Sequence, residues 1–421
     1  MSSSVFSPTS SSVVAPTLLS DLSLQTETEQ RNAEMVIAAA RALRQELRQD
    51  QDAADDRGIY SAGIHRKMLE KGLYDITTPR AYGGLQLPLP VLMAVIVEIA
   101  TGNPGSGWSF ALAAQHTTTV AAHWPEEVQR EALAGGSFLA PHQFARPGDV
   151  RAVDGGYMID GDYPFSSGSP YSTHVMISAP VRDAEPGDPA APDYVTLLIP
   201  REGYNVLDDW RGSFGMKASG SNTVRFAKRF VPGAWVIAGI GDDVTTIPGG
   251  VTLHNDGLYF GRLEAYHPVG LAAVAVGAAR AAIEEFTTVV KSGSDKLSGS
   301  AKSDDPAFQY TLGLASARAD AAEALVYAAV DAYTAVGRRH LATGVSHTRT
   351  ELTRIAGLGT SAMSLAESAV DSVFEHIGTL RVVDGTRVQR YFRDVSTLRT
   401  HGRFHPYTVA VAHGVAMLSA P

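Results

Sequence analysis

The sequence predicts an α+β fold with segregated elements: an N-terminal helical part, a central antiparallel β-domain and a C-terminal helical bundle. Three observations lead there. From Glu27 to Ala134 apolar residues recur at helical spacing. Between Gly136 and about Ile240, β-branched and aromatic residues come in short runs bounded by Gly, Pro and Asp. From about Tyr259 onward the helical period returns in long, Ala-rich segments. Helices, then strands, then helices is not the alternating βα order of a dinucleotide-binding sheet.

Taken in order, residues 1–25 are rich in Ser, Thr and Pro without periodicity and read as a disordered tail. Residues 26–135 form the helical domain. Helices are expected over Glu27–Gln51, over Ile64–Lys71 with Gly72 as a stop, over Pro88–Thr101, after Asn103-Pro-Gly, and over Pro125–Ala134. Residues 136–240 form a β-barrel or sandwich. Its expected strands are Phe138–Pro141, Gly156–Ile159, His174–Ala179, Val195–Ile199, Tyr204–Leu207 and Thr223–Val231. Residues 255–421 form a four- or five-helix bundle from Leu271–Ser292, Pro306–Gly337, Thr348–Gly378 and Val388–Leu398, with Pro406–Leu418 as an extension.

Composition excludes several classes of function. The chain of 421 residues carries a net charge of −9 with no basic block, which argues against nucleic acid or an anionic membrane as partner. No apolar run is long enough to span a bilayer. Cysteine is absent, so disulfides, thiolate nucleophiles and Cys-bound metals are excluded, and a cytoplasmic location is permitted.

The stretch with most chemical content is Asp160-Gly-Asp-Tyr-Pro-Phe-Ser-Ser-Gly168, a strand ending in a small, hydroxyl-rich turn. Ser166, Ser167 and Gly168 have little bulk, so a planar ring could lie against the backbone and bond to its N–H and O–H groups. It is read together with Gln389-Arg-Tyr-Phe-Arg-Asp394 and, seven residues later, His401, an imidazole that titrates near neutrality.

Other motifs are weak. Gly212-Ser-Phe-Gly-Met-Lys-Ala-Ser-Gly-Ser-Asn222 lacks the Gly-Lys-Ser/Thr ending of a phosphate loop, so it is either a hairpin connection or a cofactor-contacting loop. His401 and His405 are four apart, but Gly402 and Pro406 break any shared helix, and no metal pattern is present. His116, eight residues after Trp108, reads equally as a core histidine or a pocket residue. There is no Gly-x-Ser-x-Gly elbow. Glu284-Glu285 reads as a solvated helix face, and Trp108, Phe110 and Phe165 read as core aromatics.

The run from Lys71 to Gly414 resembles the acyl-CoA dehydrogenase superfamily. Within it, the chain resembles the oxygenase components of two-component flavin monooxygenases that hydroxylate 4-hydroxyphenylacetate and steroid phenols. The carriers are Tyr82-Gly-Gly84, Gly105-Ser-Gly-Trp-Ser-Phe110, Tyr163-Pro-Phe-Ser-Ser-Gly168, Met216-Lys-Ala-Ser-Gly-Ser-Asn222 and Gln389–Asp394 followed by His401. Common acyl-CoA dehydrogenases follow the Arg-Asp motif with a catalytic glutamate. Here the region reads Arg393-Asp-Val-Ser-Thr-Leu-Arg-Thr-His-Gly402, with a histidine almost in its place. A carboxylate suits α-proton abstraction from a thioester, whereas an imidazole suits deprotonation of a phenol.

The resemblance implies reduced FMN or FAD, supplied by a separate NAD(P)H:flavin reductase, and O2 as co-substrate. Oxygen would be carried as a flavin C4a-hydroperoxide and transferred to an aromatic or polycyclic small molecule. It further implies His401 as base, Ser167 beside the flavin's central nitrogen, and Trp108, His116 and Ser137 lining the flavin and substrate pocket. Ser166, Gly168, Ser219, Gly220 and Ser221 would lie close to the cofactor, Asn222 resembles the steroid-phenol subgroup, and Arg262 stands where some relatives have a flavin-contacting arginine. Arg399, Arg403 and His405 give a more basic setting than in relatives, which suits an anionic or heavily oxygenated substrate and equally a solvated helix end. Family members usually form homotetramers. The alternatives are an N-oxygenating enzyme of the same fold, an acyl-CoA dehydrogenase with a relocated base, and a non-enzymatic scaffold.

Overall fold

The computed structural model describes residues 24–144, 148–182, 192–239, 247–294, 299–402 and 405–419. The tail expected over 1–25 lies outside them as far as residue 23. Leu24 is described and packs against the core.

Helix α1 (Glu27–Arg57) opens on a reciprocal capping box between Thr26 and Glu29 and stops at Gly58, whose φ of +86° suits glycine. It runs past the expected end at Gln51, because Asp52–Arg57 continue the helix toward C-terminal partners. Ser61 caps α2 (Ala62–Glu70). Helix α3 (Leu89–Gly102) is buried on every side, as an all-apolar helix must be. Asn103 ends it and caps α4 (Pro104–His123), which is buried over almost its whole length. Helix α5 (Glu126–Leu133) closes this part.

The β-domain is two four-stranded sheets. One has the order β1 (His142–Gln143), β4 (His174–Pro180), β5 (Tyr194–Pro200), β8 (Val236–Ala238). The other has the order β2 (Asp149–Val153), β3 (Gly156–Ser166), β7 (Asn222–Pro232), β6 (Asn205–Val206). Val175, Ile177, Val195, Leu197 and Ile199 of the first meet Ile159, Tyr163, Val224 and Phe226 of the second. On the other face of β4 and β5, Met176 and Leu198 join the helical core. These two strands are therefore covered on both faces and read as continuous apolar runs.

The strand expected at Phe138–Pro141 is replaced by irregular chain. The Leu139 carbonyl accepts from Thr173 and His174, and the Pro141 carbonyl accepts from Met176, but Pro141 has no N–H to return, so the regular ladder starts at His142. Strand β2 was not anticipated, since it is a polar edge strand with only Val150 turned inward. In β3, register shifts near Gly161 and Pro164 turn its end toward the helices.

A four-residue helix, α6 (Gly250–Leu253), leads to the bundle of α7 (Leu263–Ser292), α8 (Pro306–Thr343), α9 (Arg349–His376), α10 (Arg387–Leu398) and α11 (Pro406–Ser419). Helix α7 begins well before Leu271 and carries Pro268 within its early turns. Pro406–Leu418 is a separate helix and not an extension of α10. Glu284 and Glu285 do not form a solvated face: they pair with Arg44, Arg48 and Arg387.

Helix α10 is tied to α1 by Arg390, which bonds to Asp52, to Asp55 at 3.2 Å and to Gln51 at 3.2 Å. The Arg390 side chain is 6% exposed and that of Asp55 14% exposed. Replacing Arg390 with Ala leaves Asp55, among the described residues, the Arg393 guanidinium at 3.9 Å. This change is expected to destabilise the fold by about 3 kcal/mol, read as a lower urea midpoint. Arg390→Lys should recover part of the loss, because it keeps the charge but not the planar fork.

Candidate active site

The site is assembled where α4, the end of β3 and the loop before β7 converge. Helix α4 can approach α3 closely because Gly107 faces Ala100: a Cβ at Gly107 would stand 2.6 Å from the Ala100 Cβ. Trp108, next in sequence, is thereby placed with its indole toward the β-domain. At the end of β3, Gly168 has a φ of +80°, and its N–H is shared between the Ser219 and Gly220 carbonyls at 2.9 and 3.0 Å. A Cβ there would stand 2.9 Å from Ser109 Oγ. In the loop, Gly220 has a φ of +58° and donates its N–H to the Gly58 carbonyl at 2.7 Å.

These backbone contacts align side chains into a line. The Trp108 indole N–H donates to Ser167 Oγ at 2.9 Å. Ser167 Oγ and Ser221 Oγ lie 2.7 Å apart, as do Ser221 Oγ and Ser219 Oγ. Three hydroxyls carry three protons, and two are used within the line. One O–H is therefore left to donate to a bound group. On another side of Trp108, the ring of His401 lies 5.7 Å from the indole, centroid to centroid. His401 sits in the bend after α10, its N–H bonded to the Leu398 carbonyl at 3.1 Å.

Phe165 is 67% exposed and is not a core aromatic; its φ of +61° turns the ring outward, edge-on to Trp210 at 6.2 Å. A buried line of hydroxyls with one donor to offer, at the indole of Trp108, suits the polar edge of a planar heteroaromatic group. By this test the residues present fit a flavin.

Other residues singled out in the sequence stand elsewhere. Ser166 Oγ donates to the Tyr163 carbonyl at 3.0 Å and closes the strand end. Ser137 has a φ of +53° and is held by its N–H to Asp75 Oδ1 at 2.7 Å; none of the bonds of the serine line reaches it. The Asn222 amide donates to the Leu207 carbonyl. Arg262 is buried at the start of α7, its N–H bonded to the Tyr333 hydroxyl at 3.1 Å. Arg399 turns to Asp371 at 3.4 Å, and Arg403 lies outside the described residues.

His116 is fully buried two turns further along α4, about 12 Å from Trp108 along the axis. Its Nδ1 lies 2.7 Å from the Ala140 carbonyl. A carbonyl only accepts, so Nδ1 carries the proton and Nε2 is a bare acceptor without a hydrogen-bond partner among the described residues. Burial pushes its pKa down to about 4, against the opposing pull of Ala140. The rings of His142 and His267 stand 5.5 and 5.2 Å away. These three histidines come from α4, β1 and α7, so no linear spacing could have grouped them. No metal-binding group of His, Asp or Glu is formed among the described residues.

Comparison with known proteins agrees with this architecture. The profile "Acyl-CoA dehydrogenase, N-terminal domain" matches residues 28–135 and "Acyl-CoA dehydrogenase, C-terminal domain" matches 269–406. The chain belongs to the acyl-CoA dehydrogenase family. It is 30% identical to the pigment production hydroxylase of Rhodococcus sp. (strain ATCC 21145) over 84% of this chain and 88% of that protein. It is 25% identical to the flavin-dependent monooxygenase, oxygenase subunit HsaA, of Rhodococcus jostii over 90% of this chain and 97% of the relative. The crystal structure of 3-HSA hydroxylase from Rhodococcus sp. RHA1 superposes with a TM-score of 0.81 at 25% identity, covering 92% of this chain and 97% of that one. Within the family, the chain is similar to oxygenase components of flavin-dependent monooxygenases.

Burial also sets the pH dependence of stability. Desolvation holds His65, His116, His123 and His174 down to about 4 in the fold, against 6.5 for a free imidazole. Between those values the unfolded chain binds protons that the folded chain does not, so each histidine destabilises the fold as pH falls from about 6.5 to about 4. Asp394 and Glu367, which burial pushes up to about 7, act in the opposite direction over the same range. The informative quantity is thus a difference. His116→Gln is expected to flatten the decline of the urea midpoint on acidification relative to wild type.

Proposed function

We propose that this chain is the oxygenase component of a two-component flavin-dependent monooxygenase. It takes reduced FMN or FAD from a separate NAD(P)H:flavin reductase and, with O2, hydroxylates an aromatic or polycyclic small molecule. The observation that carries the reading is the line Trp108–Ser167–Ser221–Ser219 with His401 at the same indole.

The reduced flavin, when bound, supplies the electrons that activate O2, one atom of which enters the substrate while the other leaves as water. The protein's own part is positioning and proton control. With Ser219 donating to Ser221 and Ser221 to Ser167, Ser167 also accepts from the Trp108 indole and its own hydroxyl proton is left for the bound group. Trp108 and the buried start of α4 keep water from that edge. His401 takes the phenolic proton on an imidazole nitrogen, which makes the arene more electron-rich. His116 accepts a substrate hydroxyl at Nε2, a role suited to an imidazole that stays neutral. A histidine at 401, where a dehydrogenase needs a carboxylate, disfavours thioester dehydrogenation, and the relatives favour neither that reaction nor N-oxygenation.

Tyr310, Leu380, Tyr407, Val415, Met417 and Leu418 are exposed on the C-terminal helices and the segment before α10. Large apolar side chains left open on these elements support association into a homotetramer. A cytoplasmic location belongs to the same reading, since a nicotinamide-driven reductase finds its reductant there.

The deciding experiment supplies photoreduced FMN or FAD anaerobically, adds O2 and a panel of phenols, and measures hydroxylated product against hydrogen peroxide. Product is expected with at least one phenol; peroxide alone with both flavins, together with oxidation of an acyl-CoA thioester, would overturn the reading. His401→Ala is expected to lower the hydroxylation rate about 100-fold. Ser167→Ala should shift oxygen from product to peroxide. Light scattering should give the mass of four chains.

A further inference from the structure

Asp394 has no part in the chemistry above, yet it stands at the joint between α10 and the loop that carries Ser219 and Ser221. It is buried, and its Oδ1 accepts the Met216 N–H at 2.6 Å. Its neighbour Arg393 donates from Nη1 to the Phe214 carbonyl at 2.7 Å. Between these bonds Gly215 lies flat on the helix, where a Cβ would stand 2.1 Å from the Arg393 carbonyl oxygen. Only glycine fits that contact.

Met216 itself has a φ of +54°, a left-handed conformation that costs a non-glycine residue about 1 kcal/mol or more. Its carbonyl receives the Ser219 N–H at 3.1 Å and the Trp210 indole N–H at 3.2 Å. The strained residue is thus bonded at both its amide and its carbonyl. The turn it forms delivers Ser219, Gly220 and Ser221 to the Ser167 hydroxyl.

We propose that Asp394 is a positioning residue: by holding the Met216 amide in its left-handed turn, the carboxylate sets the Ser219–Ser221–Ser167 line against Trp108. It thereby couples the helix that leads to His401 to the turn that faces the flavin. The role in catalysis rests on the function proposed above; the role in holding the loop does not.

The charged groups that act on Asp394 are Asp55 on α1 and Arg390 and Arg393 on α10 itself. Burial, with Asp55 behind it, pushes the Asp394 pKa up to about 7, despite the Met216 N–H and the two arginines. Above that value a carboxylate accepts the Met216 N–H in a charge-assisted bond; below it a neutral acid accepts more weakly. The loop is therefore held more firmly on the alkaline side.

The test compares wild type with Asp394→Asn, which keeps the shape and removes only a charge that burial already disfavours. Hydrogen exchange of the full chain is followed by mass spectrometry, and the product-to-peroxide ratio with reduced flavin is measured one unit either side of about 7. In Asp394→Asn, amides 216–221 should exchange roughly tenfold faster, while α3 and α7 stay unchanged. Wild type should release more peroxide on the acid side, and the variant should show that higher release at both pH values.

Unchanged exchange in Asp394→Asn, or the same pH profile in both proteins, overturns the proposal. If wild type makes no product with any phenol, the proposed function fails, but the exchange comparison still decides the role of Asp394. If product forms and exchange is unchanged, the positioning role alone fails.

Discussion

Three helices meet at Ala100, and that close approach decides where the indole of Trp108 stands. The Ala100 methyl faces Gly107 on α4 and Gly277 on α7, and a Cβ at Gly277 would stand 2.5 Å from it. At native packing density, a single added methyl must push a backbone aside. A shift of α4 would carry Trp108 with it, and the serine line begins at Trp108. The buried Glu98 on α3 is met by Arg41 at 3.0 Å and by Arg44, both on α1, so the first helix is docked to the same centre.

A second layer of control is electrostatic and runs through α10. Arg390 joins α10 to α1, while Arg393 and Asp394 join it to the loop before β7. Each charge is largely buried and each has a named partner, so loss of one partner leaves a desolvated charge behind. Surface pairs differ. Arg225 and Asp162 form a two-pronged bridge on the β-domain, but both side chains are about half exposed and contribute little to stability.

Much of the architecture was legible because its signals are local. Pro88 and Pro306 stand at the starts of helices and Gly72 just beyond the end of α2, as the sequence reads. The long apolar period of α3 announces a central helix. The failures have equally local causes. Phe138–Pro141 has strand composition, but Pro141 cannot donate to a ladder. Asp149–Val153 has too few apolar residues to announce an edge strand. Phe165 reads as a core residue until its backbone dihedral is known. Resemblance to a family singled out Trp108, Ser167, Ser219, Ser221 and His401, which the fold places along one line of contacts, and Ser137, whose backbone N–H is bonded to Asp75. Asp394, His142 and His267 drew no attention to their surroundings, because their partners are far away in the chain.

The sequence by itself determined the order of elements, most helix boundaries, the absence of cysteine chemistry and the presence of His401 seven residues after Asp394. Periodicity, capping and residue type are properties of neighbouring residues, and a linear reading contains them. Only the tertiary structure decided that one serine hydroxyl of the line is left to donate, that His116 presents a bare Nε2, and that Asp394 grips a strained methionine. These depend on distances between segments remote in the chain and on the removal of water from around them, and burial changes the strength of a hydrogen bond or the charge of an acid without leaving a mark on local sequence.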